Sequence, residues 1–439
     1  MKTKTFGNDM TGWGPWLCVV AILIAVVISG RVPAAAQNAA PGQPFIYLGP
    51  SSFMTDGLVV DAYAIEQPFG VNGAPDVCAG IALAYSHLPA GASGITIDAR
   101  GYAGTQNCSS PALSGGPIPA SANGRVLLGN ATININGTWK IPAGLELVGL
   151  GALSTTIQTG SNFQGTTVIQ MGNGPSQFGV KVKALTVNCG STPSCIGVYN
   201  DISEEGSMVE DVIIDNASQY GLQIKLPDPN IPAPPTGSPF ASNSGPYRNL
   251  VIQYPNTSTC SGSTIGVYIT GQDGGQIIRG LDNVTINSCG GSTGISLQSA
   301  STRVSNSTIS LSAGGTGIKM GNVSGGTTHN LEVDNVYFSG GAGMGILAAA
   351  NASNIVATNI SSAPGIATLL EDDGATVSGS SLALAGPYLG FYMRGECTVA
   401  SGCLLSGAPA LATSAPFTAG GVRIPWEAPE GRYCAPGTC

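Results

Sequence analysis

The sequence predicts an all-β fold: a right-handed, single-stranded parallel β-helix with an N-terminal capping helix and an irregular C-terminal cap. Three observations predict it: a repeat marked by glycine, a column of Asn and Asp residues ahead of the glycines, and an apolar composition with few charges. The 439 residues include 64 Gly, 9% charged and 43% hydrophobic residues, and the mean hydropathy is +0.22. Such a chain is too apolar to be disordered, and a repetitive body can use most of its length.

The first residues are typical of a secretion signal. Lys2 and Lys4 precede an apolar run, residues 17–29, and a small-residue stretch ends at Ala36. Because the run is shorter than the ~18 residues that span a bilayer, we expect a signal peptide, residues 1–36, rather than a retained anchor. The mature chain would be secreted, to the extracellular space or the periplasm, without membrane attachment, and residues 37–75 would form an N-terminal extension.

Charge limits the partners. Loss of the signal removes three cations and one anion, so the net charge changes from −8 to −10. This excess of negative charge argues against nucleic acid as a partner. A polyanion such as a polyuronate would need a bridging Ca²⁺ or a local basic patch.

Ten cysteines remain after Cys18 leaves with the signal, and they form five sequence-neighbouring couples. An even count behind a secretion signal predicts disulfides, although sequence alone leaves the connectivity open. The couples are Cys78 with Cys108, Cys189 with Cys195, Cys260 with Cys289, Cys397 with Cys403, and Cys434 with Cys439. Zinc is the alternative, but no couple has CxxC spacing and neither histidine is near a cysteine.

Residues 76–385 are the predicted β-helix domain, which begins with a capping helix at 76–88. Asp76 would N-cap this helix, whose apolar positions Val77, Ile81, Ala84 and Leu88 recur at helical spacing. The helix would cover the open edge of the first rung. Strands are expected at 94–99, 124–128 and 145–148.

From about residue 180 the chain repeats a β-branched run, a polar turn, a glycine and a second apolar run. The glycines are Gly197, Gly221, Gly266, Gly294, Gly317, Gly345 and Gly365, spaced by 24, 45, 28, 23, 28 and 20 residues. The longest interval holds a Pro-rich insertion, 226–247. A period in the twenties suits stacked coils, because each rung buries its inward side chains against the next.

A second column lies ten or eleven residues before most of these glycines. Its members are Asp211, Asn283, Asn306, Asn335 and Asn354, with Asn249 ahead of a longer loop. Stacked amides would hydrogen-bond from rung to rung and stabilise a corner without charge, so the column predicts architecture rather than chemistry. After residue 385 the repeat ends, and residues 386–439 are the predicted C-terminal cap.

Three segments resemble the pectate-lyase-like superfamily: the helix segment 76–89, the strand 94–98, and the segment 145–157, in which a strand ends in a Gly-x-Gly turn. The resemblance covers roughly residues 70–385 and implies a parallel β-helix. That superfamily includes polysaccharide lyases, hydrolases, epimerases, phage depolymerases and non-enzymatic adhesins, so the fold does not settle the function. The motifs of its polygalacturonase-type hydrolases are absent: the only adjacent Asp pair is Asp372-Asp373, and neither histidine lies between two glycines.

Two acidic sets are candidates for catalysis, which on a glycan requires paired carboxylates about 5–9.5 Å apart or a base beside Ca²⁺. The first set, in the expected turn after the Gly365 coil, consists of Glu371, Asp372 and Asp373. All three are predicted Ca²⁺ ligands, and Asp372 and Asp373 are also predicted to be a catalytic pair. Glu210, Asp282 and Asp334 would align on the outside, with Arg248 between the first two. At ~4.8 Å per rung, Asp282 and Asp334 are catalytic candidates. The alternative for both sets is solvated acidic surface.

A third set lies on the outward side of the strand after each repeat glycine. Tyr199, Gln223, Tyr268, Ser296 and Lys319 form one row, and Asp201, Lys225, Thr270 and Gln298 lie one pleat further on. Aromatic rings contact sugar faces and polar tips contact hydroxyls. Tyr199, Gln223, Lys225, Tyr268 and Gln298 are therefore the predicted substrate-binding residues, and Lys319 a catalytic candidate; ordinary outward residues are the alternative.

The sequence thus predicts a secreted β-helix protein that binds a polysaccharide of polyuronate type, with cleavage by a lyase or hydrolase mechanism left open. The alternative is a non-catalytic extracellular surface, adhesion or structural protein. Ca²⁺ is the one cofactor considered, and the oligomeric state is not indicated.

Overall fold

The computed structural model describes, with side chains, residues 58–66, 76–89, 92–108, 116–173, 177–225, 244–255, 258, 260–269, 280–298, 302–320, 331–341 and 343–347. Short strands outside these ranges are described by their bounds and pairing. The predictions for Gly365 and for most of the Pro-rich insertion 226–247 lie outside the described residues.

In the part of the chain that the structure describes, two helices and 28 strands follow one another. The helices are α1 (Ala62–Glu66) and α2 (Val77–Ser86). The strands are β1 (Ile46–Tyr47), β2 (Val59–Asp61), β3 (Ile95–Ala99), β4 (Gly104–Asn107), β5 (Gly124–Leu128), β6 (Ala131–Ile141), β7 (Leu145–Val148), β8 (Thr156–Met171), β9 (Lys181–Asn188), β10 (Ile196–Asp201), β11 (Met208–Asp215), β12 (Tyr220–Lys225), β13 (Tyr247–Gln253), β14 (Ile265–Thr270), β15 (Leu281–Asn287), β16 (Thr293–Leu297), β17 (Thr302–Leu311), β18 (Thr316–Met320), β19 (Asn330–Gly340), β20 (Met344–Ala349), β21 (Asn354–Thr358), β22 (Ser361–Ser362), β23 (Thr368–Asp373), β24 (Ser381–Ala383), β25 (Met393–Arg394), β26 (Leu404–Ser406), β27 (Trp426–Glu427) and β28 (Arg432–Tyr433).

The strands stack as a parallel β-helix, which confirms the predicted fold class. From β9 to β19 each strand pairs in parallel with the strand two places later, so that β11 lies between β9 and β13 while β12 lies between β10 and β14. Each coil visits three faces in turn. We call them sheet 1 (β9 up to Lys183 and its equivalents), sheet 2 (β9 from Leu185 onward) and sheet 3 (β10 and its equivalents).

The core consists of aliphatic side chains stacked from rung to rung. In sheet 2 the inward column runs through Val187, Ile214, Ile252, Ile286, Ile309 and Phe338, and in sheet 3 through Val198, Leu222, Val267, Ile295, Ile318 and Ile346. All of these are at most 1% exposed. Burial of each such side chain contributes about 1.5–3 kcal/mol relative to exposure, so the alternation read in the sequence is the main stabilising feature.

The repeat glycines are required by close packing at the start of sheet 3. A Cβ on Gly266 would lie 2.6 Å from the Gly294 carbonyl oxygen, and a Cβ on Gly294 would lie 2.6 Å from that of Gly317. Each would also press on an inward isoleucine of sheet 2 in the following coil, such as Ile309 beside Gly294. The glycine column therefore brings successive coils and opposite sheets together, and any side chain there would separate them.

The Asn and Asp column forms the corner between sheets 1 and 2. Its members from Asp211 to Asn335 have φ between 51° and 56°, the left-handed region that Asn and Asp tolerate best. Asn249 Nδ2 donates to Asp211 Oδ1 at 2.7 Å, and Asn283 Nδ2 donates to Asn249 Oδ1 at 2.8 Å. Ala184 occupies the same corner one coil earlier, with φ 53°.

The expectation for Asn354 is wrong. Asn354 pairs with Asn330, while the corner residue Asn335 follows Asp334, whose partner is Thr358. The corner position of that coil thus falls after Thr358. The ladder also deviates at Asn306, which donates to Asp282 at 2.8 Å rather than to Asn283.

A row of amides runs along the outside of sheet 2. Asn107, Asn134, Gln158, Asn188, Asp215 and Gln253 lie in consecutive register. Asn134 donates to Asn107 and Gln158 donates to Asn134, both at 2.6 Å. Asp215 is the one carboxyl in this row, and we call the set the amide row.

The capping helix forms as predicted. The Asp76 side chain accepts hydrogen bonds from the backbone N–H groups of Cys78 and Ala79, and Val77, Ile81 and Ala84 are buried. The strands expected at 94–99, 124–128 and 145–148 are β3, β5 and β7. Stacking begins earlier than residue 76, because β2 pairs in parallel with β3.

Three of the five predicted disulfides are formed in the described residues: Cys78–Cys108, Cys189–Cys195 and Cys260–Cys289. They fit a secreted or extracellular protein. The other two couples lie outside the described residues, so their pairing stays a prediction: Cys397 with Cys403, and Cys434 with Cys439.

No helix within the described ranges has the length and hydropathy to cross a membrane.

Parallel pairing continues past the predicted end of the β-helix domain. Beyond residue 385, β25 and β26 still pair in parallel with β23 and β24. The coil pairing therefore extends into the predicted C-terminal cap.

Candidate functional site

The outward row of sheet 3 aligns as the sequence predicts. Tyr199, Gln223, Tyr268, Ser296 and Lys319 occupy successive rungs in direct register. Two residues that sequence reasoning missed, Lys140 and Gln170, extend the row by two rungs before Tyr199. We call this set the sheet 3 row. Its members are half-buried or exposed except Ser296, which is only 6% exposed.

The second pleat adds a polar cluster beside Tyr199. Asp201 accepts hydrogen bonds from the Tyr199 hydroxyl at 3.0 Å and from Gln170 Nε2 at 3.3 Å, and it forms a 3.2 Å ion pair with Lys225. Burial, and then the negative charge of Asp201, raise the pKa of Tyr199, so its phenol stays protonated at physiological pH. These contacts fix the orientation of the Tyr199 ring and the Lys225 ammonium group.

The remaining predicted binding residues lie further along the same face. Lys225 is in register with Thr270, and Gln298 follows β16, its backbone N–H bonded to the Ile269 carbonyl. Lys319 is exposed on the rung after Ser296. The structure therefore brings all five predicted binding residues and Lys319 onto one face of the coil.

An aromatic pair connects this face to a cavity. The rings of Tyr220 and Tyr268 lie 4.6 Å apart between centroids, tilted by 34°. Tyr220 also lines a cavity of about 530 Å³ formed by the turns that lead from sheet 2 into sheet 3. The remaining lining residues are Ser191, Thr192, Pro193, Ser194, Ser218, Gln219, Ser258, Ser261 and Ser263. We call it the hydroxyl cavity.

The predicted carboxylate column on sheet 1 also aligns, but its members are paired with cations or hydrogen-bond donors. Lys183, Glu210, Arg248, Asp282, Ser305 and Asp334 occupy successive rungs. Glu210 is bonded to Arg248 at 2.5 Å and lies 3.5 Å from Lys183. Asp334 is paired with Arg303 at 3.2 Å. We call this column the sheet 1 row.

Asp282 does not have the properties of a general acid. Its carboxylate accepts hydrogen bonds from Asn306 and Ser305, both at 2.8 Å, and these bonds lower its pKa. A glycosidase acid needs a raised pKa. Asp282 and Asp334 lie two rungs apart, about 10 Å along the helix axis, at the upper limit for a catalytic pair.

The acidic set near the C-terminus lies in a different place from the one expected. Glu371, Asp372 and Asp373 end strand β23 rather than forming a turn, because Leu347, Ala348 and Ala349 pair with them. Glu371 is thus two rungs beyond Lys319 in the register of the sheet 3 row. Their side chains are not among those that the structure describes, so the Ca²⁺ and catalytic roles stay predictions.

In the described part of the chain, one group of possible metal ligands converges: Asp76, Cys78 and Cys108. Two of its members form a disulfide and the third caps α2. This group is therefore structural.

Comparison with protein-family models, curated proteins and solved structures finds no match to this chain. The function is therefore inferred from the residues and their arrangement.

Proposed function

We propose that this protein binds a polysaccharide along the sheet 3 row and that it is a member of the pectate-lyase-like superfamily. One observation carries the proposal: polar and aromatic side chains from Gln170 to Lys319 occupy six successive rungs in direct register. At a rung spacing of ~4.8 Å they form a straight, shallow line of contacts. An extended polymer fits such a line better than a compact ligand does.

The chemistry of the row suits a sugar chain. Tyr199 and Tyr268 offer ring surfaces, and Gln223 offers an amide donor and acceptor. Gln170 offers its amide oxygen as an acceptor, because its Nε2 already donates to Asp201 and to the Gly172 carbonyl. The exposed ammonium group of Lys319 suits a carboxylate such as that of a uronate unit. Ordered partners hold Tyr199 in place before any ligand arrives, which lowers the entropic cost of binding.

Binding, rather than cleavage, is what the described residues support. Among the described residues beside the sheet 3 row, the carboxylate is that of Asp201. The side chains of Gln170, Tyr199 and Lys225 all donate to it. Hydrolysis would need a second carboxylate within about 9.5 Å. Hydrolysis therefore depends on Asp372 and Asp373, while a lyase mechanism depends on Lys319 as the base.

A glycan panel tests the proposal. The mature protein would be incubated with neutral and uronate polysaccharides, with and without Ca²⁺, while affinity, reducing ends and ultraviolet absorbance of unsaturated uronates are measured. We expect Tyr268→Ala to weaken binding of the best ligand about tenfold, or ~1.4 kcal/mol. The matched control is Tyr337→Ala, because Tyr337 is a 41% exposed tyrosine on sheet 2.

Equal loss in both variants, or binding to no glycan, would contradict the proposal. The second result would favour the non-catalytic structural or adhesive alternative.

A further inference from the structure

We infer that the hydroxyl cavity is a subsite for one neutral sugar unit of the polysaccharide. This inference rests on the proposed function and specifies the class of sugar at one place. The cavity adjoins the sheet 3 row through the Tyr220–Tyr268 ring pair, so a chain lying along the row can place a unit or a branch in it.

The size and lining of the cavity fit a sugar. Its volume of about 530 Å³ lies within the range of small-molecule sites. Serine and threonine hydroxyls, one glutamine, one proline and the Tyr220 ring line it. Each hydroxyl can both donate and accept, which matches the hydroxyls of a pyranose ring.

The walls are held in place before a ligand binds. Ser191 to Ser194 lie inside the loop closed by Cys189–Cys195, and the Cys260–Cys289 disulfide holds the turn that carries Ser261 and Ser263. Between these walls the Ser218 hydroxyl donates to the Thr192 carbonyl at 3.0 Å. The Thr264 hydroxyl donates to the Ser218 carbonyl at 2.9 Å. Three coils are thereby tied together behind the cavity.

The lining favours a neutral unit over a uronate. None of the ten residues that line the cavity is charged, and the whole chain carries a net charge of −8. A carboxylate entering the cavity would lose water without meeting a cation, which is unfavourable. Acidic units of the same polymer would be better placed near Lys319, at the far end of the row.

Matched tetrasaccharides test the inference. Calorimetry on the mature protein would compare galactotetraose with tetragalacturonate, and cellotetraose with its glucuronate counterpart, since each pair differs only in the oxidation of C6. We expect one neutral tetrasaccharide to bind at least tenfold tighter than its acidic partner. Ser263→Trp would fill the cavity and remove at least tenfold of that affinity. Ala313→Trp, in the equivalent exposed turn two coils later, would leave it unchanged.

Ser191→Trp is a second blocking variant, which would place its side chain in the cavity from the turn closed by Cys189–Cys195. It keeps the inference testable if Ser263→Trp does not fold. Unchanged neutral affinity in folded Ser263→Trp and Ser191→Trp would overturn the inference, as would equal affinity for both members of each pair. If polysaccharide binding then persists and still depends on Tyr268, only the subsite fails. If no glycan binds at all, the proposed function fails with it.

Discussion

The sheet 1 row and the sheet 3 row run along the same coil with the same rung spacing, yet their side chains are used differently. In the sheet 1 row, the Glu210 side chain is only 14% exposed, and Arg248 and Lys183 on the neighbouring rungs bind it. In the sheet 3 row, one ion pair sits beside aromatic and amide groups that face outward. Regular register alone therefore does not mark a binding surface.

The difference lies in whether polar groups are satisfied within their own row. Charges of opposite sign on adjacent rungs bind each other and leave little for a ligand. Tyrosine rings and amides one rung apart leave ring faces and hydrogen-bonding groups for a sugar. The amide row on sheet 2 resembles the sheet 1 row in this respect, because its members bond to one another.

The largest expected effect concerns the packing that keeps sheet 3 regular. Gly294→Ala would place a Cβ 2.6 Å from the Gly317 carbonyl oxygen and 2.7 Å from Ile309 Cγ2. We expect the free energy of unfolding to fall by about 3 kcal/mol, measured by chemical denaturation. Gly290→Ala, with open space around its Cβ, is the control and should change stability little. Equal effects would mean that close stacking does not explain the glycine column.

The sheet 1 row should matter for stability but not for ligand affinity. Glu210→Gln removes the charge that joins Arg248 to Lys183, and we expect a loss of about 1 kcal/mol in the free energy of unfolding. Glu332→Gln is the control, because Glu332 is 52% exposed and its contact with Arg303 is long. A change in glycan affinity on Glu210→Gln would remove the distinction between the two rows.

A substitution at the corner between sheets 1 and 2 should increase stability rather than lower it. Ala184 has φ 53°, which costs an alanine about 1 kcal/mol more than it costs an asparagine. Ala184→Asn should therefore raise the midpoint of thermal unfolding, by an amount corresponding to about 0.5–1 kcal/mol. Ala313→Asn, at a position without positive φ, is the control and should leave the midpoint of thermal unfolding unchanged. A lower midpoint for Ala184→Asn would show that side-chain contacts at this corner outweigh backbone strain.

The smallest expected effect is the pH dependence of stability that Asp215 causes in the amide row. Burial raises the pKa of Asp215, and its Oδ1 is buried without a hydrogen-bond partner among the described residues. A raised pKa in the folded state means that ionisation destabilises the fold at neutral pH, and that this penalty disappears as pH falls through the folded and then the unfolded pKa. Asp215→Asn should be more stable than wild type at pH 7 by less than about 1 kcal/mol, since solvent screens part of the effect.

Denaturation of both proteins across the acid range measures this difference. Its control is Asp282→Asn, where hydrogen bonds lower the pKa in the folded state, so the sign reverses: stability should be lost at neutral pH. A stabilising Asp282→Asn, or an Asp215→Asn with no gain at pH 7, would contradict these assignments.

Much of the fold could be predicted because its periodic signals have local causes. The glycines recur where a Cβ would strike the next coil, and the corner residues recur where the backbone needs positive φ. Earlier coils lack these signals: Val168 occupies the glycine position in β8, so Gln170 and Lys140 were missed. Asn354 was misplaced because its coil contains a second asparagine, Asn359, after Thr358.

The candidate site was only partly predictable for the same reason. Register follows from the repeat, so the sheet 3 row could be found from spacing alone. The hydroxyl cavity comes from turns of separate coils, whose shapes depend on disulfides and turn hydrogen bonds rather than on any period. The serine-rich turns were the available signal. The pairing of Glu210 and Asp334 with arginines on neighbouring rungs likewise depends on side-chain geometry.

Hydroxyl-radical footprinting of the mature protein, with and without the best-binding glycan, tests the central claim most directly. We predict that the ligand protects Tyr199 and Tyr268 on sheet 3, while the exposed side chains of Tyr337 on sheet 2 and Leu153 in an earlier turn keep their reactivity. Protection of Tyr337, or no protection of Tyr199 and Tyr268 by a ligand that is bound, would contradict binding along the sheet 3 row.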